Sequence, residues 1–590
     1  MLETFDALLV HQAAARGDEI HLRLLDEQER ETPVSYRELL EVARRHAAGL
    51  ALAGVKPGDR VLLMLPTGLP LIATLYGCHL LGAVPVPLYP PFRLKGVAPY
   101  LERLGRICRS VEASLMVADP ALPVLLRAGL GTLCPPIVTP EALDVASSHD
   151  RDRGEAAGGD PTARAVSPDD TALIQFSSGS TGPQRGVVLT HGQILANCAA
   201  IATRLGLAPG IRGVSWLPLY HDMGLIGSLF TPLQVGFEAV LFSPKAFLLD
   251  PASWPRLISR YRATISLGPN FAYQLLARRV TPADLPGVDL SSWTIALNGA
   301  EPIEPSTIRR FAQHFAPLGF PPGALIGVYG LAEMALGVTM PAAGSGIVTD
   351  RIDAARLREA GVAEASEDPE RLREVAAVGP ALDGFEVAVL GPEGQSLPDR
   401  QEGLIAARGP SRTTGYWRNP AETDLAIRDG WLHTGDMGYR VGDRLFITGR
   451  AKDLIIRGGR NYHPQELELA AEAVAGVRGG SCVAFGVPDA ERGTEAVTVA
   501  FETRVALADR AGLLAQVAHA VQAATGLRPD RVLALEPGTV PKTSSGKRQR
   551  RAARDLHMAG QLGHAPSAAD ALKQAAGHHL RAIWGTPRHE

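Results

Sequence analysis

The sequence predicts an α/β protein in which a large domain built on mostly parallel sheet precedes a compact α+β module. Three observations carry this reading. Helical and strand patterns alternate through the first half, an order that favours parallel strands with helices on both faces. The character changes after Arg450, where helix, strand, strand, helix, strand and basic helix follow within roughly a hundred residues. A chain of 590 residues also exceeds what one small core accommodates.

Taken in order, Ser35-Tyr-Arg-Glu38 has capping-box spacing ahead of a periodic helix that runs to about Leu52. A Lys-Pro-Gly-Asp turn then leads into the strand RVLLMLP. The run LPLIATLYGCHLLGAVPVPLY, Leu69 to Tyr89, approaches a membrane span in length. His79, the glycines and the VPVP break instead predict a buried helix ending near Gly82, too short for the hydrocarbon, that continues into a strand. No membrane span is expected. From about Thr139 to Asp170 the chain is poor in large apolar residues and reads as an exposed connection. Pro341 to Glu374 is also weakly apolar and reads as an inserted surface element. In the second module the helices are PQELELAAEAVAGV and LLAQVAHAVQAATGL, and the strands SCVAFGV, EAVTVAFET and RVLALEP. Beyond Leu562 the Ala/His-rich tail carries no clear pattern, and no internal repeat is present.

Composition narrows the partners. A net charge of -3 and a pI near 6.6 supply no global attraction to nucleic acid or an anionic membrane, so a small ligand is expected. Cys78, Cys108, Cys134, Cys198 and Cys482 are scattered and odd in number, which predicts reduced thiols in the cytoplasm and neither a disulfide frame nor a zinc site. The start, MLETFDALLVHQAAARGDE, lacks a basic region followed by an apolar core and is expected to remain in the mature protein. Of 59 basic residues only seven are lysines, and Lys452, Lys542 and Lys547 lie beside punctuated segments of the second module.

FSSGSTGPQRG, Phe176 to Gly186, joins the strands TALIQF and GVVLT, and Thr190-His-Gly-Gln193 caps the next helix. Strand-loop-strand differs from the strand-to-helix Walker loop. Its glycines let backbone N–H groups curl toward an anion, and Ser177, Ser178, Ser180 and Thr181 add hydroxyl donors. Alone, the segment reads equally as a Gly/Ser turn. It also holds no lysine to steady a reacting phosphate.

Read together with SWLPLYHDMGLIG, VYGLAE, WLHTGDMGY, FITGRAKDLIIRGGRNYHP and PKTSSGKRQR, the loop resembles the adenylate-forming superfamily of acyl-CoA synthetases, peptide-synthetase adenylation domains and luciferases. Order and spacing agree from about residue 5 to 560. The resemblance implies an N-terminal domain, residues 1–450, of doubly wound sheets with a distorted barrel subdomain, a small mobile C-terminal domain, residues 451–562, and an unassigned tail, residues 563–590. It implies ATP bound by Ser177, Ser178, Gly179, Ser180, Thr181, Gly182 and Arg185, with Gly299, Ala300, Glu301, Tyr329, Gly330, Leu331 and Ala332 around the base. Glu333 would hold Mg2+, Asp436 the ribose with Arg450 alongside, and Lys452 the hinge. Lys547 would be the missing cation, carried in by the C-terminal domain. His221 would border or gate the acyl entrance; packing is the alternative role for a histidine in an apolar context.

Within the superfamily the sequence is most similar to fatty acyl-AMP ligases, through SWLPLYHDMGLIG, SLGPNFAYQLLARR and the extra length between Glu333 and Gly379. This implies a fatty acid substrate and transfer to a phosphopantetheinylated acyl carrier protein, feeding polyketide, nonribosomal peptide or lipid synthesis. In that subfamily the insertion, here about 341–374, restrains domain movement and disfavours free coenzyme A. Arg185 stands where many relatives carry lysine, and the apolar LIGSLF after His221 and Asp222 favours an acyl tail. The alternatives are a fatty acyl-CoA synthetase and a non-catalytic nucleotide-binding regulator. KRQRRAAR, Lys547 to Arg554, is expected to be a solvated helix face, with docking of an acidic carrier as a further reading and nucleic-acid binding disfavoured. Acyl chain length and oligomeric state are left open.

Overall fold

The computed structural model describes residues 2–91, 97–144, 166–176, 185–369, 371–457, 460–489, 494–543 and 546–563. Two parallel sheets frame the large N-terminal domain. The seven-stranded sheet runs in the order Leu325–Gly327, Ile295–Asn298, Ile265–Gly268, Arg212–Ser215, Glu238–Phe242, Ile20–Leu25, Glu31–Ser35, and only its last pair is antiparallel. A four-stranded parallel sheet orders Val84–Pro87, Arg60–Met64, Leu115–Ala118 and Ile137–Val138. Its strands are apolar at nearly every position because both faces are covered. Val61, Leu63 and Val117 face the main core, while Leu62, Met64 and Met116 face a second cluster with Ile174.

Local signals place the helices between these sheets. The Ser35–Glu38 capping box closes in both directions and starts Tyr36–Leu52. Leu69–Leu81 ends at Gly82 in the left-handed conformation, so this buried helix is 13 residues long and about 20 Å end to end. No helix among the described residues is long and apolar enough to cross a membrane. Gly77 lets the two helices meet closely, since a Cβ there would lie 3.0 Å from backbone atoms of Ala43 and Ala47.

The portion expected as a distorted barrel contains a five-stranded antiparallel sheet of Glu386–Leu390, Gly403–Arg408, Ile427–Arg428, Trp431–Val441 and Arg444–Arg450. Against it packs the weakly apolar stretch that the sequence marks as inserted. Strands Thr349–Asp353 and Leu372–Ala376 pair there around the helix Ala354–Ala360. Ile352, Leu357 and Val375 are buried with Tyr439 and Phe446. A few apolar side chains suffice because the sheet beneath supplies the large aromatics.

The smaller C-terminal domain orders Val477–Asp489, Thr494–Thr503 and Arg531–Leu535 in one sheet. Alternate residues divide between its faces: Cys482, Ala484, Val499 and Phe501 join one apolar cluster, Val483, Phe485 and Ala500 the other.

The basic stretch departs from expectation. Arg550 donates to both carboxylate oxygens of Glu468, at 2.7 and 2.8 Å, and to Asp453 at 3.0 Å. Arg548 pairs with Glu468 at 3.2 Å and Glu472 at 3.1 Å. The Glu468 side chain is wholly buried and also accepts from the Ala484 N–H. Arg548 and Arg550 are therefore internal struts and not a solvated face, and neither is free to dock a partner; the Arg551 and Arg554 side chains stay substantially exposed. Glu468→Ala removes the wholly buried carboxylate that the two guanidiniums share, leaving Arg548 only Glu472 and Arg550 only Asp453, and should destabilise the C-terminal domain by about 3 kcal/mol. Native-state hydrogen exchange on the strand Val477–Asp489 measures this, and protection equal to wild type would contradict it.

Candidate active site

Tyr329 to Leu336 makes a tight reversal in which Leu331 N–H donates to the Leu336 carbonyl at 2.9 Å. Gly330 is required there, since a Cβ would fall 1.7 Å from that carbonyl oxygen. The buried Asn197 holds the reversal from behind. Its amide donates to Met334 O at 3.1 Å, Gly337 O at 2.8 Å and Ser411 Oγ at 2.9 Å, and accepts from Gly337 N–H at 2.9 Å. Asn197 lies on the helix His191–Leu205, started by the Thr190–Gln193 capping box. Thus the helix behind the glycine-rich loop fixes the loop bearing Glu333. The Glu333 carboxylate accepts from Tyr416 Oη at 2.9 Å, and burial raises its pKa against that stabilising bond.

Arg185, the last described residue before the strand Gly186–Thr190, pairs with Glu422 at 2.5 Å and lies over the Tyr416 ring at 5.0 Å. Tyr416 therefore links Arg185 to Glu333. Residues 177–182 of the glycine-rich loop lie outside the described residues.

Opposite, Asp436 and Arg450 are register partners on adjacent antiparallel strands. Arg450 Nε donates to Asp436 Oδ1 at 2.9 Å and Tyr329 Oη donates to Oδ2 at 2.8 Å. Both oxygens are aimed, and each keeps a lone pair for a further donor. Ala300 adopts φ +67°, a conformation that costs an alanine of order 1 kcal/mol or more, at the strand end Gly299-Ala300-Glu301. Glu301 accepts from Phe271 N–H at 2.6 Å.

Lys547 reaches this site from the C-terminal domain. Thr543 N–H donates to Lys547 O at 2.7 Å, and Lys547 N–H donates to Thr543 Oγ1 at 3.0 Å, closing a tight loop through Gly546 at φ +84°. Lys547 Nζ lies 3.3 Å from His221 Nε2, and His221 Nδ1 lies 2.5 Å from Asp222 Oδ1. Asp222 opens a single turn, Asp222–Leu225, that widens into the π-helical segment Ile226–Phe230. Burial opposes its charge, yet contact with His221, the nearby Lys547 cation and the Met223 N–H hold its carboxyl at about 2. Burial lowers the Lys547 pKa, and Asp222 is foremost among the charges that resist this.

One cavity of about 1040 Å³ collects these groups. Arg185, His221, Asp222, Ala300, Tyr329, Gly330, Leu331, Ala332, Glu333, Arg450, Lys452 and Lys547 line it. So do the apolar side chains of Ile201, Leu207, Ile265, Leu267, Leu336 and Met340. A second cavity of about 600 Å³, between the domains, brings in Glu301, Asp436 and Lys547. Sequence reasoning missed Asp222, Tyr416 and Asn197 as site residues. Asp222 follows His221 directly and could have been found from that adjacency; Tyr416 and Asn197 give no local signal.

An arginine-braced carboxylate, an acidic loop residue and a lysine from the C-terminal domain are thus gathered around clefts with apolar lining. The profile of the family described as AMP-binding enzyme matches residues 9–417, and the chain belongs to that family. It is an ATP-dependent ligase. A Caulobacter vibrioides protein to which an acyl-CoA synthetase name is provisionally attached is 37% identical over 544 residues, covering 90% of this chain and 91% of that one. The medium-chain-fatty-acid–[acyl-carrier-protein] ligase JamA of Moorena producens is 34% identical over 554 residues, covering 90% of each. A solved structure from work on fatty acyl-adenylate ligases of E. coli and L. pneumophila superposes with a TM-score of 0.87 at 30% identity, covering 94% of this chain and 98% of that one.

A lysine whose pKa is lowered loses its proton earlier as pH rises. Adenylate formation should therefore show an alkaline limb below the ordinary lysine value of 10.5, read from the pH profile of pyrophosphate release. Lys547→Arg, whose cation persists, should remove that limb from whatever activity it retains.

Proposed function

We propose that this chain is a fatty acyl-AMP ligase. A fatty acid carboxylate attacks the α-phosphorus of ATP, the bond to the β-phosphate breaks, and pyrophosphate leaves. The phosphopantetheine thiol of an acyl carrier protein then takes the acyl group and releases AMP. The observation that carries this reading is that Lys547 and the apolar side chains of Ile201, Leu207, Ile265, Leu267, Leu336 and Met340 line one cavity.

These apolar side chains suit a hydrocarbon tail, each methylene of which contributes about 0.8 kcal/mol on burial. The reacting carboxylate and α-phosphate are both anions, and two unit charges 4 Å apart repel by roughly 4 kcal/mol at an effective dielectric of about 20. Lys547 offsets that repulsion as the two approach. Asp436 accepts the ribose hydroxyls while Arg450 and Tyr329 keep its oxygens aimed. Gly299, Ala300, Tyr329, Gly330, Leu331 and Ala332 border the base. Arg185 and the loop Ser177, Ser178, Gly179, Ser180, Thr181 and Gly182 receive the phosphates. Mg2+ takes oxygen ligands and commonly only one or two carboxylates beside phosphates, so Glu333 fits without a larger acidic cluster. When bound there it neutralises charge developing on the leaving pyrophosphate. Tyr416 orients Glu333 for that ligation. Lys452, beside Arg450 at the domain junction, is the hinge that carries Lys547 away before the thiol arrives.

Transfer to a carrier and not to free coenzyme A is favoured by a specific contact. Arg358 and Arg373, from the stretch 341–374, both grip Glu466 of the C-terminal domain, at 3.0 and 2.6 Å. The three side chains are only 12–15% exposed, and Arg358 also lies over Tyr462. Rotation of the C-terminal domain must break both pairs, a barrier that a docked carrier protein can offset with its own interface and a small thiol cannot.

Incubation with ATP, Mg2+ and acids of graded length, followed by mass identification of the adenylates, tests the first half-reaction. Lys547→Ala should slow it about 100- to 1,000-fold. Comparison of thioester yield with carrier protein and with coenzyme A tests the second; efficient use of coenzyme A by the wild type would favour an acyl-CoA synthetase. The Arg358→Ala/Arg373→Ala variant should raise the coenzyme A yield, and an unchanged yield would show that the two pairs do not restrain the domain.

A further inference from the structure

Building on the adenylation reading, we infer that Asp222 is the positioning residue of the imported lysine, acting through His221 to aim the Lys547 ammonium. A lysine ammonium can only donate, so His221 Nε2, 3.3 Å from Lys547 Nζ, must accept. The imidazole then carries its proton on Nδ1, the nitrogen that lies 2.5 Å from the Asp222 carboxylate. Asp222 thereby selects the one tautomer that receives the lysine. The imidazole and carboxylate side chains are 18% and 14% exposed, and the Met223 N–H fixes Asp222 at 2.7 Å. Both residues of the pair, and the Met223 N–H that fixes it, belong to the N-terminal domain. Its backbone is also specialised: Leu225 N–H donates to His221 O at 2.8 Å, and the π segment that follows is closed by Thr231 Oγ1 on Ile226 O at 2.9 Å.

The charged groups facing Lys547 are Asp222 beside His221, Arg450 and Asp436 on the paired strands, and Glu301 at the strand end. Of the acidic ones, Asp436 is committed to Arg450 and Tyr329, and Glu301 accepts from Phe271 N–H. Asp222 is the one that addresses the lysine through a bonded intermediary. The histidine thus serves as a dock that holds the ammonium where the incoming carboxylate meets the α-phosphate, and no proton transfer by His221 is required.

The test is a double-mutant cycle on the full-length protein, with single-turnover acyl-adenylate formation and transfer of premade acyl-adenylate measured separately. Asp222→Asn can present an amide donor to Nδ1 and favour the opposite tautomer, so adenylate formation should fall on the order of 100-fold. In the Lys547→Ala background the same change should cost less than about twofold, because residues acting through one another are not additive. Transfer from premade adenylate should respond little to Asp222→Asn, which also shows that the variant is folded. Losing the carboxylate should move the alkaline limb of adenylate formation to lower pH, and Asp222→Glu should restore part of that shift. Equal losses from Asp222→Asn with and without Lys547, or an unmoved limb, would overturn the inference. Full adenylate formation by Lys547→Ala alone would overturn the inference at the lysine itself, whereas absence of any acyl-adenylate from the wild type would sink the adenylation reading beneath it. Should Asp222→Asn fail to fold, His221→Gln, which keeps an acceptor but cannot relay the carboxylate, replaces it in the same cycle: a loss confined to the Lys547 background supports the dock, and equal losses in both backgrounds overturn it.

Discussion

The arrangement centres on one positive charge, Lys547, which the small domain places 3.3 Å from His221 in a cleft of the large one. Lys547 is partly buried there, and desolvation works against its charge. The acidic groups around it are each held by bonds of their own: Asp222 at the start of the π segment, Asp436 between Arg450 and Tyr329, and Glu301 at a strand end.

Around that charge the large domain acts as a rigid mould. The parallel sheets end in turns whose geometry is set by backbone constraints, such as the lack of room for a side chain at Gly330 and the left-handed Ala300. Asn197 ties the helix behind the glycine-rich loop to the reversal that carries Glu333. Loss of its amide would leave several buried polar groups unsatisfied, each costing about 1–3 kcal/mol. The small domain is stiffened differently, by Glu468 between Arg548 and Arg550. The loop presenting Lys547 is thereby anchored on its C-terminal side.

Much of this is legible in the residues. The Ser35 and Thr190 capping boxes, the helix ending at Gly82 and the strands of both domains follow from local chemistry, which acts over three or four residues wherever the chain lies. Lys547, Glu333, Asp436 and Arg450 stand out because each sits in a punctuated segment with a recognisable order. The basic stretch misleads because a run of arginines looks the same in sequence whether water or buried glutamates surround it. The stretch 341–374 looks superficial because its core is completed by Tyr439 and Phe446, which lie on strands far along the chain.

By itself the sequence determined which elements form and which charged side chains are available to a site, since propensity, capping and side-chain charge are properties of short segments. Only the tertiary structure decided that Arg185 rests against Glu422 and Tyr416, that Asp222 and His221 receive a lysine from another domain, and that Arg358 and Arg373 grip Glu466. Such pairings depend on distance through space. Electrostatic and hydrogen-bond energies fall off within a few ångströms, and separation along the chain carries no information about them.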